Sequence, residues 1–163
     1  MKQKVNHAIS NNEPLLCIGF QLHDFSLSDL SIGKEFIKPV YFSGSDFFVY
    51  ADFGAANFQG EAGFSYATFQ GEAFFNGAKF QGVANFNNSE FYRKTYFSGH
   101  FNSKTNFNYV LFEGKEKVIF DIENLSNVSF INTDTTGVRF SDNARWRGEG
   151  GGINVDNIIR KLE

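Results

Sequence analysis

The fold is decided by a short stretch, residues 51–64, which reads ADFGAANFQGEAGF. Phe53, Phe58 and Phe64 follow one another here at steps of 5 and then 6 residues, and an alanine stands two positions before each of them. This spacing fits neither the 3.6-residue period of a helix nor the sustained alternation of an ordinary strand. It predicts a short extended segment that turns the small residue and the phenylalanine to one face. A corner in the chain follows this segment, and the segment and corner then repeat.

The same pattern continues along the chain and predicts a repeat architecture with a phenylalanine core. Each inward phenylalanine fills most of a narrow cross-section, so its neighbour on the same face must be small. Coils stacked about 4.8 Å apart bring successive rings into stacking range. The predicted core phenylalanines are Phe42, Phe47, Phe53, Phe58, Phe64, Phe69, Phe75, Phe80, Phe86, Phe91 and Phe97. The predicted core alanines are Ala51, Ala56, Ala62, Ala67, Ala73, Ala78 and Ala84.

Less regular copies extend the repeat in both directions, from Ile18-Gly19-Phe20 to Ala144-Arg145-Trp146. The residues that follow each phenylalanine, such as Ser-Gly, Gln-Gly and Asn-Asn, favour tight turns and tolerate positive φ.

Several units, among them Ala51-Asp52-Phe53, Ala56-Asn57-Phe58 and Ser45-Asp46-Phe47, resemble the unit of the pentapeptide-repeat family. That unit is a small residue, Asp or Asn, Leu or Phe, and two turn-forming residues. The resemblance covers about four fifths of the chain. It implies an all-β fold, a right-handed quadrilateral β-helix (a β-solenoid) of short strands and turns, with short helical or irregular terminal caps. The spacing alone also fits a flatter, two-sided coil that contains only two units, one step of 5 and one of 6.

The chain departs from the family unit in its alternating steps, in its use of Phe for Leu, and in two register breaks. With the four units per coil that the resemblance implies, the alternation predicts about 22 residues in a coil, with an extra residue at alternate corners. Phe53, Phe75 and Phe97 are then predicted to form one column, and Phe20, Phe42, Phe64 and Phe86 a second. The breaks lie between Phe97 and Phe107 and between Phe112 and Phe120. In the second break, the charged residues 113–117 predict an exposed loop at a corner.

Three segments are predicted: an N-terminal cap at 1–17, the solenoid at 18–147, and a Gly-rich linker with a short C-terminal helix at 148–163. Residues 2–10 favour a helix that covers the open end of the core, although a partner helix is an alternative. Three roles are open for the C-terminal helix: it caps the last coil, it joins two chains into a homodimer, or it is part of a longer protein. Its candidate association residues are Ile158, Ile159 and Leu162.

No Gly-rich phosphate loop, nucleophile elbow or metal-ligand spacing is present in the sequence. We therefore predict no catalytic residues, no cofactor, no metal site and no enzyme activity. His23 falls at a small inward position and is interpreted as a core or end-cap histidine. Glu123 falls at the same kind of position, where an irregular coil is expected to let it reach water.

The charges describe a mixed surface. Lys+Arg of 15 against Asp+Glu of 18 gives a net charge of −3, which excludes a strongly basic nucleic-acid binder. Residues 41–92 carry an acidic excess and residues 93–117 a basic one. Four tyrosines are predicted to point outward, either as a binding face or as ordinary scattered surface residues: Tyr66, Tyr92, Tyr96 and Tyr109. The single cysteine, the lack of a signal-peptide core and the lack of a membrane-length apolar run predict a cytoplasmic protein.

The sequence favours a non-catalytic structural or protein-interaction module whose partner is another protein, without direct nucleic-acid or membrane binding. The family resemblance implies an alternative, a DNA mimic that binds DNA gyrase and modulates the topoisomerase or protects it from quinolones. That function needs a long acidic face and usually a dimer joined through C-terminal helices. Dense carboxylates on one face would favour it, and a mixed face would count against it.

Overall fold

A computed structural model describes residues 1–27, 34–122, 124–142 and 144. The α-helix α1 covers Lys2–Asn11, and a single 3₁₀ turn covers Lys115–Lys117. The strands are β1 (Leu15–Leu16), β2 (Gln21–Ser26), β3 (Glu35–Phe36), β4 (Val40–Tyr41), β5 (Asp46–Asp52), β6 (Asn57–Phe58), β7 (Ala62–Gly63), β8 (Thr68–Phe69), β9 (Glu72–Phe80), β10 (Ala84–Asn85), β11 (Glu90–Phe91), β12 (Thr95–Phe101), β13 (Thr105–Asn106), β14 (Leu111–Phe112), β15 (Val118–Asp121), β16 (Val128–Ser129) and β17 (Arg139–Phe140).

These strands stack in parallel into a β-solenoid of about 5 turns with four faces. Face A consists of β1, β4, β7, β10, β13 and β16. Face B consists of β8, β11 and β14 with the first residues of β2 and β5. Face C consists of β15 and β17 with the ends of β2 and β5 and the first halves of β9 and β12. Face D consists of β3 and β6 with the ends of β9 and β12.

The pairing register confirms the all-β solenoid and selects four sides. Phe47 pairs with Phe69, and Phe69 pairs with Phe91, so the chain returns to the same face only after four units. A two-sided coil of two units is therefore excluded. Long strands such as β9 turn a corner while they stay paired, which is why one sheet continues over faces B, C and D.

The core consists of four columns of stacked phenylalanine rings, one behind each face. Within a column most neighbouring rings are close to parallel, as between Phe64 and Phe86 at 4.8 Å and 3°, while Phe80 and Phe101 are tilted by 35°. Between columns they meet edge to face, as between Phe64 and Phe75 at 5.7 Å and 90°. Both arrangements suit the charge distribution of aromatic rings. The columns are Phe42-Phe64-Phe86-Phe107-Phe130, Phe47-Phe69-Phe91-Phe112, Phe53-Phe75-Phe97-Phe120-Phe140 and Phe36-Phe58-Phe80-Phe101.

The first coil departs from the predicted register. Phe20 does not join the column of Phe42: it lies at the level of Ser45, is 37% exposed, and has the Lys4 ammonium 4.9 Å from its ring centre. Cys17 instead occupies the position of the first coil in this column, next to Phe42. The reason is that Leu15 pairs with Val40, whereas Val40 pairs with Ala62, so the first coil is longer than the next and a count of 22 fails.

His23 is also placed differently from the sequence interpretation. It is exposed at an irregularity in the pairing of β2 with β5, and its ring lies 5.4 Å from that of Phe48. Phe25 fills the interior here, at the level where later coils carry Ala51 and Ala73. A large residue fits because Cys17 and other smaller side chains replace phenylalanine in this coil.

The break after Phe97 is resolved by Phe101, a core residue that the sequence analysis missed. The step from Phe97 to Phe101 is only 4, a β-bulge accompanies it, and Phe101 pairs with Phe80. Ala84 pairs with Thr105 whereas Ala62 pairs with Ala84, so this coil is one residue shorter than the preceding one. The break after Phe112 is a corner excursion with the 3₁₀ turn, after which Phe120 returns to the column of Phe97.

The corners are of two kinds, and glycine has a different role in each. Within a 5-residue step, such as that from Phe42 to Phe47, a β-turn forms, and its third residue has positive φ, as Gly44 does at 64°. Within a 6-residue step, such as that from Phe69 to Phe75, the glycine of Gln-Gly lies against the backbone of the preceding coil, as Gly71 does. A Cβ atom on Gly71 would be 1.8 Å from the carbonyl oxygen of Val49. Gly60, Gly71 and Gly82 are not among the residues with positive φ, so the expectation of positive φ for Gln-Gly is wrong.

The N-terminal helix covers the first coil with Val5 and Ala8, which are both buried. It extends one residue beyond the predicted 2–10. Strand β1 lies within the predicted cap at 1–17, yet it already pairs with β4. The segment at 148–163 lies outside the described residues.

Candidate binding surface

The outward residues of the four faces form columns of mixed character. The column of face A is uncharged and runs Leu16, Tyr41, Gly63, Asn85, Asn106, Ser129. The column of face B runs Gln21, Asp46, Thr68, Glu90, Leu111. The column of face C runs Ser26, Asp52, Phe74, Tyr96, Ile119, Arg139. The column of face D runs Glu35, Asn57, Lys79, His100. Within the described residues, none of these columns is a dense run of carboxylates.

Three of the four predicted outward tyrosines lie on one side of the solenoid. Tyr92 lies over face B. Tyr66 and Tyr109 stand at the corner where face A turns into face B, whereas Tyr96 points out from face C. We call this edge corner AB and define it by one position in successive coils: Gly19, Gly44, Tyr66, Asn88, Tyr109 and Asn132.

The backbone at corner AB holds its tyrosines in an unfavourable conformation. Tyr66 and Tyr109 both have φ of 58°, the left-handed region that glycine and asparagine adopt most easily. The other residues of the corner are indeed glycine or asparagine. Both tyrosines are nevertheless well exposed, Tyr66 at 67% and Tyr109 at 59%, so burial does not compensate for the strain. Such outliers concentrate at functional positions.

The backbone under these tyrosines is firmly held. The Tyr66 N–H donates to the Asn87 carbonyl at 3.0 Å, and the Tyr109 N–H donates to the Ile131 carbonyl at 2.9 Å. Beneath the corner, Phe64, Phe86 and Phe107 form the tightly stacked part of the face A column. The two side chains therefore project from fixed points.

Beside the corner, face B carries a shallow, open groove of about 510 Å³. Its lining residues are Thr68, Gln70, Tyr92, Arg93 and Glu113. The Tyr92 hydroxyl donates to Glu90 Oε2 at 2.8 Å, which holds the ring across the face. This hydrogen bond to the carboxylate raises the pKa of the Tyr92 phenol, and the nearby negative charges add to the effect. The groove thus offers an aromatic ring, carboxylates, an amide and a guanidinium to a ligand.

The remaining predicted residues either lie in the core of the solenoid or fall outside the described residues. The predicted core phenylalanines and alanines are all buried, each at 1% exposure or less. The candidate association residues Ile158, Ile159 and Leu162 lie outside the described residues, as does Glu123, so the interpretations of both stay predictions.

Two further findings concern the described part of the chain. No group of three or more His, Cys, Asp and Glu side chains there is placed to hold a metal ion. No helix there is long and apolar enough to cross a membrane.

Comparison with known proteins agrees with the architecture. Residues 64–99 match the family model for pentapeptide repeats (9 copies). This stretch lies within the regular part of the solenoid, so family match and pairing register agree there on pentapeptide repeats. Neither the curated proteins nor the solved structures contain a match.

Proposed function

We propose that this pentapeptide-repeat solenoid is a non-catalytic protein-interaction module that presents corner AB and face B to a partner protein. The observation that carries the proposal is the placement of Tyr66 and Tyr109. Each is a bulky residue at a backbone position that favours glycine, and each is exposed. The folded chain gains little from tyrosine there, so contact with a partner explains the choice.

The rigidity of the scaffold supports this function. Stacked rings behind the faces and backbone hydrogen bonds between coils fix the spacing of the outward side chains. A surface that is already ordered loses less conformational entropy on binding. Exposed tyrosines suit such a surface because they provide a large contact area with few rotatable bonds.

The charge distribution does not support the DNA-mimic alternative. Asp46 and Glu90 are separated by Thr68 on face B, and the column of face D carries one acidic residue, Glu35, and one lysine, Lys79. We therefore do not propose gyrase binding. We place the module in the cytoplasm, which the buried, unpaired Cys17 fits.

The proposal is tested by comparing captured proteins between variants of the full chain. Asparagine occupies corner AB at Asn88 and Asn132, so the double variant Tyr66→Asn/Tyr109→Asn is expected to fold. Ala55→Gly is the matched control, since Ala55 has φ of 57° at a different corner. Immobilised wild type, double variant and control are incubated with lysate of the source organism, and retained proteins are purified and titrated against each chain.

We expect at least one protein that binds the wild type and Ala55→Gly alike and binds the double variant about tenfold or more weakly. The proposal is wrong if every captured protein binds the folded double variant as tightly as the wild type. Circular dichroism and thermal unfolding establish that the variants are folded.

A further inference from the structure

The spacing of Tyr66 and Tyr109 is set by the solenoid itself. Between their coils lies one other coil, whose corner residue is Asn88. Two inter-coil steps of about 4.8 Å place the two tyrosine positions about 10 Å apart along the axis. A ligand that contacts both rings must present a flat apolar group at the same interval.

A polyproline II segment has this interval. It rises about 3.1 Å per residue with three residues per turn, so prolines three positions apart lie about 9.3 Å apart on one side of the peptide. Aromatic surfaces are the usual docking sites for such segments, and the extended conformation is already formed before binding. Prolines at positions i and i+3 therefore match Tyr66 and Tyr109.

The coil between the tyrosines adds a charge requirement. Glu90 is the outward strand residue of that coil, two positions after Asn88, and it pairs with Thr68 on one side and Leu111 on the other. Glu113 and Arg93 line the adjoining groove, so with Glu90 this surface carries two carboxylates against one guanidinium. A residue between the two prolines thus faces a carboxylate, which favours lysine or arginine there. The acidic side chains also disfavour a nucleic-acid strand.

We infer that corner AB and face B bind a basic proline-rich peptide in the polyproline II conformation, with prolines three residues apart on Tyr66 and Tyr109 and a basic residue directed to Glu90. This inference rests on the proposed function and names the chemistry of its partner. It depends on the tyrosine positions, their exposure, their interval and the carboxylate between them.

The test uses a fluorescent twelve-residue peptide of four Pro-Lys-Ala repeats, titrated by anisotropy against the full chain. Three comparison peptides isolate the features. In the first, alanine replaces every proline; in the second, glutamate replaces every lysine; in the third, the prolines stand four residues apart. Cellohexaose and a single-stranded oligonucleotide test other ligands that stack on aromatic rings.

We expect the Pro-Lys-Ala peptide to bind the wild type about tenfold more tightly than each comparison peptide. Tyr66→Asn and Tyr109→Asn should each remove most of this difference, because both rings are needed for the interval. Glu90→Gln should weaken binding and reduce its dependence on salt, since a charge pair is lost. Ala55→Gly should bind as the wild type does.

The inference is overturned if the alanine peptide or the four-residue spacing binds as tightly, or if the folded tyrosine variants keep the preference. Tyrosine-dependent binding of cellohexaose or the oligonucleotide in place of the peptide would overturn it as well. A captured protein that depends on the tyrosines but lacks prolines three residues apart would leave the proposed function standing and refute this inference alone.

Discussion

A Cβ atom on Gly71 would lie 1.8 Å from the carbonyl oxygen of Val49 in the preceding coil, a distance no side chain can occupy. At this corner, neighbouring coils approach through backbone atoms alone. Gly60 and Gly82 make similar approaches at the opposite corner, where face D turns into face A. The Gln-Gly dipeptides therefore mark places where the backbones of neighbouring coils lie in close contact.

Gly71→Ala is predicted to destabilise the fold by about 3 kcal/mol or to prevent folding, because the obstructing atoms are backbone atoms that cannot turn aside. The matched control is Gly44→Ala. Gly44 has open space around its Cα and differs only in its φ of 64°, so about 1 kcal/mol is expected there. Urea unfolding measures both. Equal losses for the two variants would show that the close approach is not real.

Phe75→Ala is predicted to cost about 3–5 kcal/mol, the usual range for a deep aromatic truncation. Phe75 is fully buried and stacks between Phe53 at 5.0 Å and Phe97 at 4.7 Å. Phe48→Ala serves as the control, since Phe48 is half-buried on face B and should cost about 1 kcal/mol. A loss for Phe75→Ala below about 1 kcal/mol would contradict the ring columns, because it would equal that of an ordinary substitution.

Tyr66→Gly is predicted to leave the free energy of unfolding unchanged or to raise it by up to about 1 kcal/mol. Relief of the left-handed strain is offset by the greater freedom of glycine in the unfolded chain. Ala55→Gly should behave alike, because Ala55 has nearly the same φ without an aromatic ring. Chemical denaturation provides the measurement. A loss above about 1 kcal/mol for Tyr66→Gly alone would mean that the ring stabilises the fold, which would weaken the argument for an external partner.

Cys17 is predicted to resist thiol reagents in the folded protein. Burial raises the pKa of its thiol to about 11, so the reactive thiolate is scarce at pH 7–8, and the side chain is fully buried. Labelling with a maleimide should become fast only in denaturant. Because Cys17 lies in the first coil, the labelling rate at intermediate denaturant measures the opening of that coil. Fast labelling under native conditions would mean that the first coil opens readily.

The contact between Lys115 and Asp134 should contribute to stability in a defined pH window. The hydrogen bond from Lys115, aided by one from the Thr136 N–H, lowers the pKa of Asp134 from 3.8 to about 2. A lowered carboxyl pKa stabilises the fold above about pH 4 and loses this effect as pH falls toward 2. Both side chains are partly exposed, so the contribution is small. Asp134→Asn should flatten the stability profile between pH 4 and 2, and an unchanged profile would argue against the contact.

The regular part of the fold could be predicted because its physical cause is local. An alanine two residues before each phenylalanine and a strict step of 5 or 6 determine what faces inward from Phe42 to Phe97. The first coil could not be predicted in the same way. Its greater length is set by the pairing of Leu15 with Val40, and no spacing in the chain reveals it.

The candidate binding surface depends on a similar irregularity. A count of 22 from Tyr66 reaches Asn88 and then Val110, which is buried. Tyr109 joins the column of Tyr66 only because the step from Phe97 to Phe101 is one residue short. The sequence therefore identified the outward tyrosines singly, whereas their alignment required the three-dimensional register.

The solenoid restricts the spacing of outward side chains at one corner to multiples of one inter-coil step. The distance between two side chains at one corner changes only by whole coils, so a third tyrosine in this row would lie about 5 Å or about 10 Å further on, and nowhere between. Duplication of the coil between the two tyrosines would lengthen the distance between them by one inter-coil step and leave the rest of the surface unchanged. Ligand selectivity in such a protein can therefore shift in discrete increments, through gain or loss of coils, without any redesign of the interior.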